Sequence, residues 1–255
     1  MESLHPIAAT GFSNQAEAYA NARPEYPEQA QSWLTDDLGV GPDSRVLEVG
    51  AGSGKFTAHL LALEAEVVAV EPVKAMREQL HLRFPNVTLF DAMADSLPLP
   101  DQSFDALVCA QSFHWFANAG VLSEFARVLR PGGSLGLIWN VRDESVPWVK
   151  RLGDHLRQGE GELPRYSPEL LPNVFPHPDF TSPKQRVAQH GQTGSVELVL
   201  RERLRSVSFI ASMPTELQQA FLDRAQAVLE EDPELRGATT ITFPYRTDMF
   251  SFRRR

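Results

Sequence analysis

The amino-acid sequence predicts an α/β fold: a doubly wound, mostly parallel sheet covered by helices on both faces, with an added helical cap. Between about residues 45 and 140, short and continuously apolar segments alternate with segments whose apolar residues recur at helical spacing. Such alternation is typical of a parallel sheet that is buried on both faces, and right-handed crossovers then wind the sheet in both directions. A glycine-rich turn follows the first strand, which is a common ligand-binding position in these sheets.

The elements are predicted in chain order from their apolar periodicity. Two helices come first, the second of them after Pro27 with Ala30, Trp33 and Leu34 on its apolar face. The predicted strands are Arg45–Val49, Glu66–Val70, 87–90, Phe104–Ala110 and 134–140, and the predicted helices up to the last of them are 13–21, 28–38, 55–63, 72–84 and 121–129. Beyond residue 140 the pattern is less regular, and we predict a partly helical segment, a proline-rich loop, two helices and a last strand or hairpin, at 141–173, 172–183, 195–204, 214–230 and 239–252.

The domain organisation predicted from this pattern is a single domain over residues 1–255. A ligand-binding core covers about residues 40–140, and a helical cap that contacts substrate is built from about 1–39 and 141–235. Because ligands bind at the carboxyl ends of the strands in doubly wound sheets, the loops that follow Val49, Val70, Phe90 and Ala110 are where functional residues are expected.

Composition narrows the class of partner. The net charge of −9 disfavours binding to a phosphate backbone, so no nucleic-acid partner is expected. We expect no membrane association, because no apolar run approaches the roughly 20 residues that span a bilayer. The single cysteine, Cys109, lies in an apolar run and is interpreted as a core residue. Together with the absence of a signal-peptide pattern, this favours a cytoplasmic location.

The turn after the first strand has glycine at positions 50, 52 and 54, and three classes of ligand use such turns. A phosphate-binding P-loop is rejected, because Val49 would occupy its first glycine and Phe56 the position of its hydroxyl. A dinucleotide fingerprint is incomplete, because its third glycine would fall on Lys55. The third pattern, two apolar residues, an acid, an apolar residue and Gly-x-Gly-x-Gly, is complete with Glu48 as the acid.

This third pattern resembles motif I of the class I S-adenosylmethionine (SAM)-dependent methyltransferases. The resemblance implies a Rossmann-like methyltransferase fold that uses SAM and releases S-adenosylhomocysteine. It also implies that Gly50 and Gly52 let the methionine part of SAM lie against the backbone, with Glu48 near its ammonium group. A purely structural tight turn is the alternative for an isolated glycine loop.

Glu71 follows the second strand about 20 positions after the glycine turn, where a carboxylate can accept both ribose hydroxyls. The alternative is an acid that only favours the start of the next helix. The third loop resembles the Ala-Glu-x-Leu-Pro segment of the family, which implies that Asp95 approaches the adenine amino group and that Met93 and Ala94 line the ring. The family usually has Glu at position 95 and often an acid at position 93, and Asp91 is a rival for the adenine contact.

The loop after the fourth strand contains Gln111, His114, Trp115 and Phe116. Its His-Trp-Phe triplet and the phrase Tyr-Ala-x-x-Arg-Pro-x-Tyr-Pro at 19–27 resemble a small-molecule branch of the family that includes trans-aconitate methyltransferase-like proteins. The resemblance implies that Gln111 contacts the cofactor and that Trp115 and Phe116 shape the acceptor pocket. His114 is a candidate general base, because histidine titrates in the useful range, although a histidine beside two aromatic residues is also typical of a packed wall.

Three residues outside the core complete the predicted site. Tyr19 and Arg23 are expected to fold over the cofactor, with Arg23 pairing with a carboxylate. Arg142, just past the fifth strand, is a candidate for anchoring an anionic acceptor. The alternative for Arg23 is the surface end of a helix.

These observations predict methyl transfer from SAM to a small-molecule acceptor, with the oxygen of a carboxylate or hydroxyl as the expected target. No metal is expected, since no Cys/His ligand cluster is present in the sequence. Three alternatives are a non-catalytic SAM-binding regulator, a nicotinamide-dependent oxidoreductase, and a methyltransferase acting on RNA or protein.

Overall fold

The computed structural model describes residues 23–160, 166–167 and 169–255. The helix predicted at 13–21 lies outside these residues. The strands are β1 (Arg45–Val49), β2 (Glu66–Val70), β3 (Thr88–Phe90), β4 (Phe104–Ala110), β5 (Leu129–Arg142), β6 (Lys184–Ser195) and β7 (Thr240–Arg253). The α-helices are α1 (Gln29–Asp36), α2 (Thr57–Leu61), α3 (Lys74–Arg83), α4 (Ala119–Val128), α5 (Pro147–Glu160), α6 (Arg203–Arg205), α7 (Ser208–Ala211) and α8 (Thr215–Glu230), with a 3₁₀ turn at Phe113–Trp115 and a π-helical segment at Glu197–Glu202.

Over the part of the chain that is described, seven strands form one sheet in the order β3-β2-β1-β4-β5-β7-β6. Strand β1 is parallel to β2 and β4, β2 is parallel to β3, and β4 is parallel to β5. Strand β7 runs antiparallel to β5. Gly132 N–H donates to the Arg254 carbonyl and Asp143 N–H donates to the Pro244 carbonyl, so residue numbers fall along β7 as they rise along β5. The predicted doubly wound, mostly parallel sheet is confirmed, and its strand order reverses between β1 and β4.

Two predictions about the strands were wrong in detail. No strand was predicted at Lys184–Ser195, yet β6 occupies the edge of the sheet there. Its side chains are mostly exposed and include Lys184 and Arg186, as is common for an edge strand that avoids further pairing, and this leaves no apolar alternation to detect. Strand β5 begins at Leu129 and not at residue 134. The segment 130–133, where a turn was expected, lies within the strand as an irregularity that shifts its register against β4.

The described residues divide into two compact units. The sheet unit comprises the described residues 26–139, 166–167, 169–188 and 247–255, and the cap unit comprises 23–25, 140–160 and 189–246. The cap unit has its own apolar core, which includes Leu152, Leu200 and Leu222 from its helical segments. The single domain with a cap from about 1–39 and 141–235 stays a prediction.

The core of the sheet unit depends on a close approach between α1 and β5. Trp33 and Leu34 of α1 are fully buried. A Cβ added to Gly136 of β5 would lie 2.5 Å from the Leu38 side chain and 2.8 Å from the Trp33 ring, so only glycine leaves room for this packing.

Among the described helices, none combines the length and apolarity that a bilayer-spanning segment needs.

Gly136→Ala is expected to destabilise the protein, because the added methyl group overlaps the Leu38 and Trp33 side chains. Overpacking of this kind costs about 1–3 kcal/mol, and each kcal/mol lowers the melting temperature of a chain of this size by about 2–4 °C. The matched control is Gly41→Ala, where a Cβ meets nothing within 4 Å and φ is not positive. Calorimetric melting of both variants checks this; equal melting temperatures would contradict the packing argument.

Candidate functional site

The glycine turn at residues 50–54 leaves β1 at its carboxyl end and closes on the neighbouring strand. Gly50 N–H and Ala51 N–H both donate to the Val70 carbonyl, over 2.8 and 3.2 Å. Gly50 has φ +71°, and a Cβ there would lie 2.5 Å from Cβ of Ser112, so the turn packs directly against the loop after β4. At Gly52 (φ +57°) a Cβ would meet nothing within 4 Å. The first glycine therefore serves packing, while the second faces open space.

Glu48 lies buried beneath this turn, with 1% of its surface exposed. Thr57 donates its hydroxyl to one carboxylate oxygen over 2.5 Å. The other oxygen, Oε1, is buried and has no hydrogen-bond partner among the described residues. The pKa of Glu48 is raised to about 8, mainly by burial; the Thr57 hydrogen bond lowers it and the charge of Glu71 raises it, and both effects are smaller than that of burial. A buried carboxylate with an unsatisfied oxygen is well suited to a positively charged hydrogen-bond donor.

Glu71 at the end of β2 is held by two backbone donors. Gly52 N–H donates to Oε2 over 2.9 Å, and Val73 N–H donates to Oε1 over 2.8 Å. Burial raises the pKa of Glu71 despite these hydrogen bonds and the nearby Arg77 guanidinium. Because a carboxylate has about four lone-pair sites, Glu71 can bind this backbone and still accept two hydroxyl groups.

The loop after β3 lies at the same edge of the sheet as Glu71, because β3 is parallel to β2. Ala94 is buried, Met93 is half-buried and Asp95 is exposed. Asp91 accepts a hydrogen bond from Arg77 over 2.6 Å, and the same guanidinium donates to the Glu71 carbonyl over 2.8 Å. The ion pair therefore joins the ends of β2 and β3, and it gives Asp91 a structural partner.

The loop after β4 begins with a strained residue. Gln111 has φ +58°, an uncommon conformation for a residue with a side chain, and its N–H donates to Ile138 of β5 over 2.9 Å. Ser112 donates its hydroxyl to the Val49 carbonyl over 2.7 Å. The Phe116 ring lies beside the position that a Cβ of Gly50 would occupy, at 3.7 Å. The glycine turn and this loop thus form one packed edge.

His114 lies in the 3₁₀ turn and accepts a hydrogen bond at Nδ1 from the Trp139 indole N–H, over 3.3 Å. The rings of His114 and Trp115 are 5.3 Å apart. Both Trp115 and Phe116 are partly exposed, as an acceptor-binding surface requires.

The structure brings together the predicted residues of the sheet unit that surround the glycine turn, namely Glu48, Gly50, Gly52, Glu71, Gln111 and Phe116. Arg23 and Arg142 belong to the cap unit, where Arg23 donates to the Ser206 carbonyl over 3.2 Å. Tyr19 lies outside the described residues. No group of three or more His, Cys, Asp or Glu side chains in the described ranges could hold a metal ion.

Sequence reasoning missed Thr57, Ser112, Arg77 and Trp139. Thr57 and Ser112 are separated from their partners by 9 and 63 positions, and neither forms part of the glycine pattern. Trp139 sits inside an apolar strand, where an indole is expected to be only a core residue. Only the folded chain shows that these side chains hold the site together.

Comparisons with known proteins agree with this geometry. Residues 47–137 match a family described as methyltransferase domain. The uncharacterized methyltransferase C25B8.09 of Schizosaccharomyces pombe is 36% identical over 241 residues, covering 94% of this chain and 95% of its own length. The uncharacterized methyltransferase Rv3342 of Mycobacterium tuberculosis is 34% identical over 237 residues, covering 92% of each chain.

Solved structures show the same fold. YcgJ of Bacillus subtilis has a TM-score of 0.61 at 19% identity, covering 90% of this chain and 99% of its own. A geranyl diphosphate methyltransferase, solved in complex with SAM, has a TM-score of 0.51 at 16% identity, covering 89% of this chain and 85% of its own. The resemblance to trans-aconitate methyltransferase-like proteins stays a prediction. By its sequence relatives and its fold, the chain belongs to the class I SAM-dependent methyltransferases.

Proposed function

We propose that this methyltransferase transfers the methyl group of SAM to an oxygen atom of a small-molecule acceptor, a carboxylate or a hydroxyl. The observation that carries the cofactor-binding part of the proposal is the Glu48 carboxyl group, buried beneath a glycine turn with one oxygen unsatisfied within the described part of the chain. An aminoacyl sulfonium nucleoside supplies the cationic donor that this oxygen lacks.

The residues around the turn fit the rest of the cofactor. Glu71 can accept the ribose hydroxyls while it keeps Gly52 N–H and Val73 N–H. Gly52 leaves open space where a side chain would obstruct a ligand close to the backbone. The half-buried Met93 and buried Ala94 are suited to line the adenine ring, and Gln111, at the strained start of the loop after β4, is proposed to contact the cofactor.

When bound, SAM would supply an electrophilic methyl group, from which an acceptor would displace S-adenosylhomocysteine in line. The contributions of the chain are then proximity, alignment and a dry site. Trp115 and Phe116, which are partly exposed, are proposed to offer aromatic surface to a small acceptor. A carboxylate acceptor needs no base at neutral pH, whereas a hydroxyl would need one, for which His114 is the candidate.

The alternatives find less support. A nicotinamide cofactor is disfavoured because Lys55 replaces the third glycine of the dinucleotide fingerprint. An RNA acceptor is disfavoured by the net charge of −9. A non-catalytic SAM-binding regulator keeps the same cofactor site, and only turnover separates it from an enzyme.

Incubation with methyl-labelled SAM and a panel of small carboxylic acids and alcohols tests the proposal. We expect label in a small product, and label that alkali releases as methanol identifies a methyl ester. SAM binding without any turnover would favour the regulator, and heat stabilisation by NAD but not by SAM would favour the oxidoreductase.

Gly52→Ala is expected to weaken SAM binding by about tenfold or more, because the new methyl group enters the space proposed for the ligand. The loss of thermal stability should be modest, since a residue held at positive φ costs on the order of 1 kcal/mol. Titration calorimetry with SAM and thermal melting measure the two effects.

The matched control for this variant is Gly39→Ala. Gly39 also has positive φ (+74°) and also leaves a Cβ in open space, but it precedes the amino end of β1. This control should lose similar thermal stability and keep wild-type affinity for SAM. Equal affinities of the two variants would contradict the placement of the cofactor at Gly52.

SAM binding at pH 6.5 is expected to release roughly one proton, because the pKa of Glu48 is about 8 in the free chain and a neighbouring ammonium group favours the charged carboxylate. The amino group of the ligand is itself charged at this pH. Titration calorimetry in phosphate and in bis-Tris, which both buffer at this pH but differ in ionisation enthalpy, counts the protons. The release should disappear in Glu48→Gln.

Glu48→Gln also tests how Glu48 affects the thermal stability of the protein without the cofactor. Folding raises the pKa of Glu48 from its ordinary value of 4.5 to about 8. The contribution of this shift to the free energy of unfolding is therefore complete below pH 4.5 and is lost as the pH rises through about 8. Glu48→Gln keeps the shape but not the charge, so its melting temperature relative to wild type should rise between pH 5 and pH 9. A constant difference would show that Glu48 does not titrate in this range.

A further inference from the structure

The loop between β3 and β4 is held in place by two side chains of helix α4. The Leu97 N–H donates to Glu124 Oε1 over 2.8 Å, and the Leu97 carbonyl accepts from Arg127 Nη2 over 3.0 Å. Both backbone polar groups of this loop residue are therefore bound by the same helix. All three residues belong to the sheet unit.

Arg127 uses all five of its N–H donors in this arrangement. Nη1 donates to the Leu99 carbonyl over 2.8 Å and to Asp101 over 2.6 Å, and Nη2 donates to the Leu97 carbonyl. The two remaining donors bind the Glu124 carboxylate, from Nε over 2.8 Å and from Nη2 over 2.7 Å. Three donors thus hold the loop at separate points, and two fix the direction of the guanidinium.

The ion pair between Glu124 and Arg127 keeps its charge at neutral pH. Hydrogen bonds from Arg127 lower the pKa of Glu124, burial opposes them, and the Leu97 N–H lowers the pKa further. The Glu124 side chain is 16% exposed and that of Arg127 is 31% exposed, so solvent screens the pair only in part. A bidentate pair of this kind has a specific geometry, which suits it to hold a backbone segment in one position.

The loop residues held in this way directly follow those proposed to line the adenine ring. The Ser96 N–H donates to the Met93 carbonyl over 3.2 Å, which closes a turn around Ala94 and Asp95. Leu97 comes immediately after this turn and is buried. Because loops are less rigid than strands, the contacts of Leu97 with α4 decide where the turn at 93–96 lies.

The strand order places this turn beside the base of the proposed cofactor. Strands β3, β2 and β1 are adjacent and parallel, so their carboxyl ends follow one another along one edge of the sheet. The proposed function puts the ammonium group of SAM at Glu48 of β1 and the ribose at Glu71 after β2. The next part of the molecule is its base, which then lies at the end of β3.

We infer that Arg127 and Glu124 are positioning residues that hold the turn at 93–96 against the adenine base, and so set the base selectivity of the cofactor site. The inference rests on the proposed function and deepens it. Neither side chain is assigned a contact with the ligand, because both act through the backbone of the loop. Their loss should therefore weaken the recognition of the base more than that of the rest of the cofactor.

Titration calorimetry with S-adenosylhomocysteine and its 6-deamino analogue, which has hydrogen in place of the adenine amino group, tests the inference. In the wild type S-adenosylhomocysteine should bind about tenfold more tightly, because a carboxylate such as that of Asp95 accepts a hydrogen bond from the amino group. In Arg127→Gln the two affinities should become nearly equal, mainly through weaker binding of S-adenosylhomocysteine. Equal affinities in the wild type, or an unchanged preference in Arg127→Gln, overturn the inference.

Arg45→Gln provides the matched control. The Arg45 side chain is 34% exposed and pairs with Glu66 over 2.9 Å, but it lies at the amino end of β1. This variant also removes one arginine of a partly exposed ion pair, so it should lose similar thermal stability and keep the wild-type preference between the two ligands. If both variants reduce the preference alike, the effect is general loosening and the positioning role is wrong.

Two further variants of the pair keep the inference testable if Arg127→Gln does not fold. Arg127→Lys keeps the charge but not the planar set of five donors, so it should not restore the wild-type preference. Glu124→Gln keeps an oxygen that can accept from Leu97 N–H but loses one acceptor for Arg127, and it should lower the preference by about threefold. A wild-type preference in both variants overturns the inference.

Binding of S-adenosylhomocysteine to the wild type separates this inference from the proposed function. If the wild type does not bind it, the proposed function fails. If the wild type binds it and transfers labelled methyl from SAM, but substitution of Arg127 and Glu124 leaves the preference unchanged, the proposed function stands and the positioning role alone fails.

Discussion

The arrangement of the site depends on two carboxylates, Glu48 and Glu71, that the fold buries at the carboxyl ends of adjacent parallel strands. Strands β1 and β2 are in register from Arg45 to Val49, so the ends of both strands reach the same edge. Burial raises the pKa of each carboxyl, and the charge of Glu71 raises that of Glu48 further. Two acids held this way are electrostatically unfavourable in the free chain, and a cationic ligand relieves that cost.

The surrounding residues are arranged to keep these acids in place. Thr57 holds one oxygen of Glu48, and the backbone N–H groups of Gly52 and Val73 hold both oxygens of Glu71. Arg77 fixes the Glu71 backbone from the outside. The acid on β2 therefore shapes the glycine turn, and its proposed role in ligand binding would use the same carboxylate.

A second set of contacts connects the glycine turn to the loop after β4. Ser112 bonds to the Val49 carbonyl and packs against Gly50, so the position of that loop is tied to the glycine turn. His114 follows two residues later and is bound by Trp139 of β5. Because methyl transfer needs alignment more than it needs acid–base chemistry, a loop held by the sheet on one side and by the turn on the other is well suited to the reaction.

The fold class and the glycine-turn acids were predictable because they depend on local pattern. Continuous apolar runs such as Phe104–Ala110 predicted strands with correct bounds, and glycine spacing with Glu48 and Glu71 at strand ends located the proposed cofactor site. Strand β6 was not predictable, because a polar edge strand has no apolar alternation. That one Glu48 oxygen has no hydrogen-bond partner among the described residues was equally unpredictable, since hydrogen bonding depends on neighbours from distant parts of the chain.

The sequence by itself determined the parallel sheet, the turn and the chemical class of ligand that the turn accommodates. Only the tertiary structure decided the surroundings of Glu48 and of His114. Both depend on burial and on partners that are remote in sequence, such as Trp139, which lies 25 positions beyond His114. Local periodicity records which face of an element is apolar, but it carries no information about which polar atom meets which.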